Sequence, residues 1–442
     1  MQLSSDAMLD DLGDMYETWR AEHGPVVPIE LDGGVQAFLV IGHREVQEVG
    51  RNEALYTPDS RTWRELRNGR VPDTWPLLPQ IIFQVGNPRF LSGPAHTRLR
   101  SLMSSGLNEV EGQRTRRFVE WVADRLIDRF APGGRADAVA DYAAPLPMLV
   151  MLRLMGLPHE AGEDLLPAIF QLLEGGPGAQ KANEAIHEIL SELVAARRAK
   201  PERDFASWAI HGPVVNGPAL SDLEVTNLIW VATMAGAGGT AGWIANVLEQ
   251  IVCGEELYSL YLAGKASIAE IMNTTHRTNP AVQNVMGRFP LRDLAAGELG
   301  NYPIPSGALL VLGLAGASAD PHATGGAPSR TYDLGNEYHW AFGTGAHECP
   351  TGAQRLAHTI TQSAIDRFVA RCRNMQLEDD QSVDWGGSVI LRQLRSMRVV
   401  FTPAEHNAVP LEVAGTALSE GRSSHALFPP RMLTKLTSDP AH

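Results

Sequence analysis

Apolar residues recur along most of this chain three and four positions apart, the spacing of one face of a helix. Leu356, Ala357, Ile360, Ala364, Phe368 and Val369 follow it and predict a helix from about Gly352 to Cys372. Phe118, Trp121, Val122, Leu126 and Phe130 follow it within a helical stretch from Arg114 to Ile210. Leu146 to Leu157 is nearly all apolar, the pattern of a helix buried on every side. Shorter helices are predicted over Asp10–Glu22 and His43–Arg51, and Pro94 opens another. Val35 to Ile41 is β-branched and aromatic, as a strand is. Ser221-Asp222-Leu223-Glu224 reads as a capping box, in which the serine oxygen and the glutamate satisfy the first free N–H groups of a helix. From there helical character runs to about Cys253, a length of roughly 45 Å at about 1.5 Å per residue. Successive helices with strands only near the two ends predict a mainly α fold with a minor β portion.

Between Thr57 and Phe90 the periodicity disappears, and Pro58, Pro72, Pro76, Pro79 and Pro88 interrupt the chain. Such a stretch is long for an idle loop. It holds Trp63, Trp75, Ile81, Ile82 and Phe83, which either extend the core or serve function.

At 442 residues the chain has room for two or three domains. No linker, low-complexity tract or repeat divides it, so residues 1–442 are expected to form one large domain. Its parts would be a strand-containing stretch over about 25–90, a helical core over about 91–280, and a loop with its following helix over about 339–373. The net charge is −14, from 37 cationic and 51 acidic residues, and there is no basic stripe to neutralise phosphates. Nucleic acid is therefore excluded as a partner. Three cysteines, Cys253, Cys349 and Cys372, make no disulfide framework and suit a reducing cytoplasm. The N-terminus lacks a basic, apolar leader. No uninterrupted apolar run matches a membrane span, so no membrane association is expected.

The chemistry concentrates in His339-Trp340-Ala341-Phe342-Gly343-Thr344-Gly345-Ala346-His347-Glu348-Cys349. A glycine-rich loop here presents one cysteine just before a helix N-terminus, where free N–H groups and the helix dipole favour a thiolate. Gly343 and Gly345 would let the backbone fold round the sulfur and aim N–H groups at it. A thiolate so satisfied suits a metal ligand better than a nucleophile. Zinc fits poorly, because His347 and Cys349 have no second pair at ligand spacing.

A second feature is Ala235-Gly236-Ala237-Gly238-Gly239-Thr240-Ala241-Gly242 in the middle of the long helix. Each interior glycine costs about 1 kcal/mol against alanine, so the cluster needs a reason, such as a flat ligand pressed on the backbone. Gly236, Gly238 and Ala241 also fit a dinucleotide-binding fingerprint with Leu228 to Met234 as its strand. That reading lacks the acidic second strand about twenty positions on. His96 and Arg100 lie at i and i+4 and share a helix face, which on its own is most simply a solvated basic face.

The cysteine loop resembles the haem-ligand loop of the cytochrome P450 family, Phe-Gly-x-Gly-x-His/Arg-x-Cys. Phe342, Gly343, Gly345, His347 and Cys349 fill every specified place. Thr351 stands where the family usually has glycine, with Gly352 one later. Further segments match in the family's order, so the resemblance covers most of the chain. His96-Thr97-Arg98-Leu99-Arg100 matches a segment whose His and Arg reach the haem propionates. Arg288 stands at a third propionate position, and Ala317-Ser318-Ala319-Asp320-Pro321 resembles Ala-Asn-Arg-Asp-Pro. The region Thr57–Phe90 matches the roof of the family's substrate pocket.

Two segments depart from the family. Its distal helix carries Ala-Gly-x-Asp/Glu-Thr-Thr/Ser over the haem, where the acid and first threonine relay protons to the reacting oxygen. Here Ala235 and Gly236 match, but Gly238 replaces the acid and Gly239 the threonine, leaving Thr240. Proton delivery would then use ordered water, Thr240 from a shifted position, or a polar group of the substrate. In the Glu-x-x-Arg helix, Arg277 and Pro280 fit but Thr274 replaces the glutamate, and Glu270 lies too far from Arg277 to pair as i,i+3. Another acid, Asp333, is expected to substitute.

The resemblance implies a monomeric, soluble, bacterial-type monooxygenase with thiolate-ligated haem b and Cys349 as the metal ligand. Haem contacts would come from His96, Arg100, Ala235, Arg288, Phe342, Gly343 and His347. Gly238, Gly239 and Thr240 would stand at the catalytic helix. Electrons would come from ferredoxin and ferredoxin reductase, and the substrate would be a medium-sized secondary metabolite. The reduced relay points towards an atypical oxidation such as radical coupling or substrate-assisted hydroxylation. The alternative is a non-catalytic member that recruits a partner or carrier-bound substrate.

Overall fold

The computed structural model describes residues 1–4, 12–157, 165, 168–169, 172, 178–215, 217–324, 337–379, 383–405, 427–428 and 432. Its contacts fall into two compact units, each assembled from three separated stretches of chain.

The first unit comprises Met1–His96, Glu249–Cys349 and Trp385–Arg395. Its sheet uses β1 (Gln2–Leu3), β2 (Val26–Leu31), β3 (Val35–Val40), β4 (Tyr56–Thr57), β6 (Asn284–Pro290) and β7 (Leu310–Gly313) in the order β1-β2-β3-β7-β6-β4. β2 and β3 form an antiparallel hairpin, β3 runs parallel to β7, and β6 returns antiparallel to β7. The ladder slips between Met286 and Arg288, where Gly287 takes φ 91°. This bulge re-aims the strand at Arg288. The helix His43–Arg51 follows β3 with the predicted limits.

The Thr57–Phe90 stretch breaks into short turns, as its prolines predict. Trp63 is fully buried, with ring centroids 5.8 Å from Trp75 and 5.9 Å from Phe289. Trp63, Trp75 and Ile81 thus belong to the core, while Ile82 is 40% exposed.

The second unit comprises Thr97–Leu248, Pro350–Asp384 and Ser396–His442. Helices Gly112–Phe130 and Thr351–Arg371 pack together, fastened by Arg367 on Asp124 and Arg371 on Asp128. Between helices, β5 (Arg135–Asp137) pairs with β10 (Arg392–Val400), which also pairs with β8 (Gln376–Leu377) and β9 (Val383–Gly387). Strands are therefore not confined to the two ends of the chain. β5 has only three residues, too few for a period of two to register. The long helix runs Asp222–Cys253, 32 residues. Its capping box forms: Ser221 N–H donates to Glu224 Oε2 at 2.9 Å, and Glu224 N–H to Ser221 Oγ at 3.3 Å. Leu228 to Met234 is helical throughout, which removes the dinucleotide reading.

Two segments nonetheless match a span by length and composition alone. Ala138–Met155 and Asp222–Cys253 both have the length and hydropathy of a span, and 67% of each tested window is buried within the protein. Core helices this apolar pass a span test because burial on all sides demands the same composition.

Candidate active site

The Cys349 loop turns twice at residues in the left-handed region, Gly343 at φ 74° and Gly345 at φ 78°. A 3₁₀ turn, Gly345–His347, brings Glu348 N–H onto the Gly345 carbonyl at 3.0 Å. Cys349 N–H donates to the Phe342 carbonyl at 2.8 Å, which closes the loop on itself. Gly343 N–H donates to the Trp340 carbonyl at 2.7 Å. That glycine therefore shapes the turn, and its N–H is not aimed at the sulfur as the sequence suggested. Trp340 N–H reaches Ser318 Oγ at 2.9 Å, tying the loop to the Ala317–Pro321 segment. A Cβ on Gly345 would stand 1.9 Å from the Gly50 carbonyl oxygen, and one on Gly50 would stand 2.5 Å from Thr344 Cγ2. Loop and helix end therefore meet backbone on backbone. Cys349 is partly buried and in no disulfide among the described residues, and its helix starts at Thr351. The glycine needed there is Gly352, whose Cβ would lie 2.8 Å from the Leu107 backbone.

Beside the loop lies a nest of basic side chains. His96 is buried, and its ring stacks on that of His347 at 4.1 Å and 25°. His347 Nε2 stands 3.4 Å from Glu53 Oε1, and this ring holds the Glu53 carboxyl below its ordinary range. Arg288 is buried and makes one side-chain hydrogen bond, to the neighbouring Gly287 carbonyl at 3.0 Å. Burial pulls its pKa down to about 10, against the charge of Glu53, which favours ionisation, while Arg89 opposes it. Arg89 gives one N–H to the Gln80 carbonyl at 3.2 Å. Neither arginine forms an ion pair among the described residues. A buried guanidinium without a carboxylate is costly, so the nest calls for anions.

Glu53, His96 and His347 have ligand atoms within 4.8 Å of one another. Near-parallel rings, however, send their lone pairs side by side and do not converge them on one ion. Carboxylates fit this arrangement better than a metal.

Arg100, Ala235, Gly238, Gly239 and Thr240 lie in the second unit. Arg100 sits one turn beyond His96 on the helix Gly93–Asn108. Along the long helix Ala235 is exposed and Gly239 partly so, one turn apart on one face, while Ala237, Gly238 and Thr240 are buried. Gly236 has a packing reason of its own, since its Cβ would meet Met151 Cε at 2.7 Å. Thr274 and Arg277 are both buried, and Asp333 lies outside the described residues.

Proteins of known kind align with about nine-tenths of this chain. Cytochrome P450 107B1 of Saccharopolyspora erythraea is 28% identical over 410 residues, spanning 89% of this chain and 96% of that protein. The cytochrome P450 monooxygenase PikC of Streptomyces venezuelae is 26% identical over 400 residues, 88% of this chain and 92% of its own. These likenesses support a bacterial cytochrome P450 family for the chain. Among solved structures, CYP154C4 from Streptomyces sp. W2061 superposes with a TM-score of 0.77 at 25% identity, covering 90% of this chain and 97% of that one. No family model matches.

This P450 is an enzyme of the monooxygenase type, and in its family a cysteine thiolate holds haem iron. The residues present fit that group. Haem carries two carboxylates at one edge, and among the described residues the nest offers His96, His347, Arg288 and Arg89 around Glu53. Sequence reasoning named three of those cations and missed Arg89 and Glu53. Glu53 sits two residues past a helix end with nothing local to mark it, and its partner is far along the chain.

Proposed function

We propose that this P450 oxidises a medium-sized, largely apolar secondary metabolite, with haem b held by the Cys349 thiolate. The observation that carries the proposal is the closed Phe342–Cys349 loop beside a basic nest in which Arg89 and the buried Arg288 form no ion pair among the described residues. His96, Arg288 and His347 would hold the cofactor's carboxylates, as charge-assisted bonds require. When bound, a thiolate-ligated haem supplies oxygen activation, with the sulfur donating electron density. Each compact unit is made of three separated stretches, so we read residues 1–442 as one haem domain, monomeric and cytoplasmic, fed by ferredoxin and ferredoxin reductase. The substrate class draws support from relatives called 2-hydroxy-5-methyl-1-naphthoate 7-hydroxylase and polyketide biosynthesis cytochrome P450 PksS.

Proton supply is where this enzyme differs. The open face of the long helix carries Ala235 and Gly239, and neither has a side-chain proton. At 3.6 residues per turn Thr240 is turned about 100° from Gly239, and it is 4% exposed. Water or a polar group of the substrate therefore stands in for the relay, which favours substrate-assisted hydroxylation or coupling.

The test is the ferrous, carbon-monoxide-bound absorption spectrum of the purified protein and of C349S and C349H. Wild type should show the Soret position of a thiolate-ligated haem, and both variants should lose it. An imidazole-type band in wild type, or one that survives in C349S, would overturn the assignment.

A further inference from the structure

Among the described residues Glu53 is the acid that faces the basic nest, and no expectation from the sequence gave it a role. It is held on the turn after the helix His43–Arg51, whose end packs directly against the cysteine loop through Gly50 and Gly345. Its Oε1 faces His347 Nε2 at 3.4 Å, and the His347 ring lies flat on His96 at 4.1 Å. At that distance the contact is an ion-pair contact of a carboxylate with an imidazole. A carboxylate among cations would ordinarily compete with the cofactor's own carboxylates. Its place at the outer nitrogen of His347 instead gives it a holding function, as partners behind a ligand orient it elsewhere.

We propose that Glu53 is a positioning residue for the cofactor's carboxylate edge. It pins the His347 ring, and through the ring stack it sets His96, so that both imidazoles are placed before haem arrives. This rests on the reading of Cys349 and the nest as a haem site. His96 and His347 come from distant parts of the chain and meet through stacked ring faces, a contact that slides easily. A carboxylate clamped to one ring nitrogen removes that freedom.

The test uses the holoenzyme and four variants: E53A, E53Q, H347A and E53A/H347A. The first readout is the rate of haem transfer to excess apomyoglobin. The second is the propionate-bending band in the resonance Raman spectrum. E53A should release haem roughly ten- to a hundredfold faster, the range for loss of a residue that orients a ligand. E53Q keeps an acceptor oxygen and should stay within about threefold of wild type. Since Glu53 acts through His347, E53A/H347A should be no worse than H347A, with the same shifted Raman band. E53A releasing haem at the wild-type rate, or effects of E53A and H347A that multiply in the double variant, would overturn the proposal. Should E53A fail to fold, E53Q matching H347A in both readouts would overturn it equally. Failure of the haem-thiolate reading shows separately, as a missing thiolate Soret band in wild type.

Discussion

Replacing Gly345 by alanine should release the cysteine loop, whereas the same change at Gly343 should not. Both glycines have a left-handed backbone, at φ 78° and φ 74°. Alanine there costs about 1–2 kcal/mol from its Cβ against the following carbonyl. For Gly343 the cost ends there, because the nearest atom to the added methyl is Glu348 Cα at 3.9 Å. For Gly345 the methyl would sit 1.9 Å from the Gly50 oxygen and 2.5 Å from the Gly50 carbon. Carbon and oxygen need roughly 1 Å more than that. The atoms in the way are backbone, which no rotamer change can move. Overpacking of this kind adds about 1–3 kcal/mol.

The difference between the variants is thus about 1–3 kcal/mol, and each 1.4 kcal/mol is about tenfold in an equilibrium. The assay is the fraction of ferrous, carbon-monoxide-bound protein with the thiolate Soret position, followed through a urea titration. G343A should keep most of that band at low urea, and G345A should lose it at a clearly lower midpoint. The contact is mutual, so G50A, whose methyl would meet Thr344 Cγ2 at 2.5 Å, should fall between them because a threonine methyl can rotate. A G345A protein holding its thiolate as well as G343A would refute the backbone-on-backbone argument.

Further predictions concern stability and chemistry. Asp137 caps the turn of π-helix Ala138–Ala143, accepting from Val139 and Ala140 N–H, Ser396 Oγ and Met397 N–H. Burial works to raise its pKa, but Ser396 and the three N–H groups outweigh burial and hold it below the usual range. Its contribution is therefore present above about pH 3.9 and is lost as pH falls through the lower folded value. D137A should cost about 1 kcal/mol near neutrality and flatten the acid limb of stability against pH, and parallel acid limbs would count against the assignment. S221A should lower stability by about 1 kcal/mol, read as a shifted urea midpoint by far-UV circular dichroism. Restoring the relay with G238D/G239T should change the ratio of NAD(P)H consumed to product formed, and an unchanged ratio would say that the relay is not missing.

Much of the fold was legible because its signals are local. The capping box at Ser221, the helix His43–Arg51 and the strand from Val35 depend on residues within one or two turns, and the structure matches them closely. The cysteine loop was legible for the same reason, since five of its eight positions constrain one tight turn. Features made by distant partners were not. β5 exists only because β10 offers it an edge, and Glu53 matters only because the fold sets His347 against it. The glycine cluster was half legible. A flat ligand was the predicted reason for the cluster, but for Gly236 the reason is Met151 of another helix.

Thr240 brings the two kinds of information into conflict. Its type and its place in the sequence make it the obvious surviving relay residue. The helix period places it off the face that Ala235 and Gly239 leave open, and it is nearly sealed. Burial decides, because a hydroxyl cannot pass protons to a group it does not meet. T240V keeps the shape and removes the hydroxyl. It should leave turnover and coupling within about twofold, while a relay residue would cost about a hundredfold or more. A large loss in T240V would mean that the helix opens at this turn when the substrate binds, and the proton source would return to the protein.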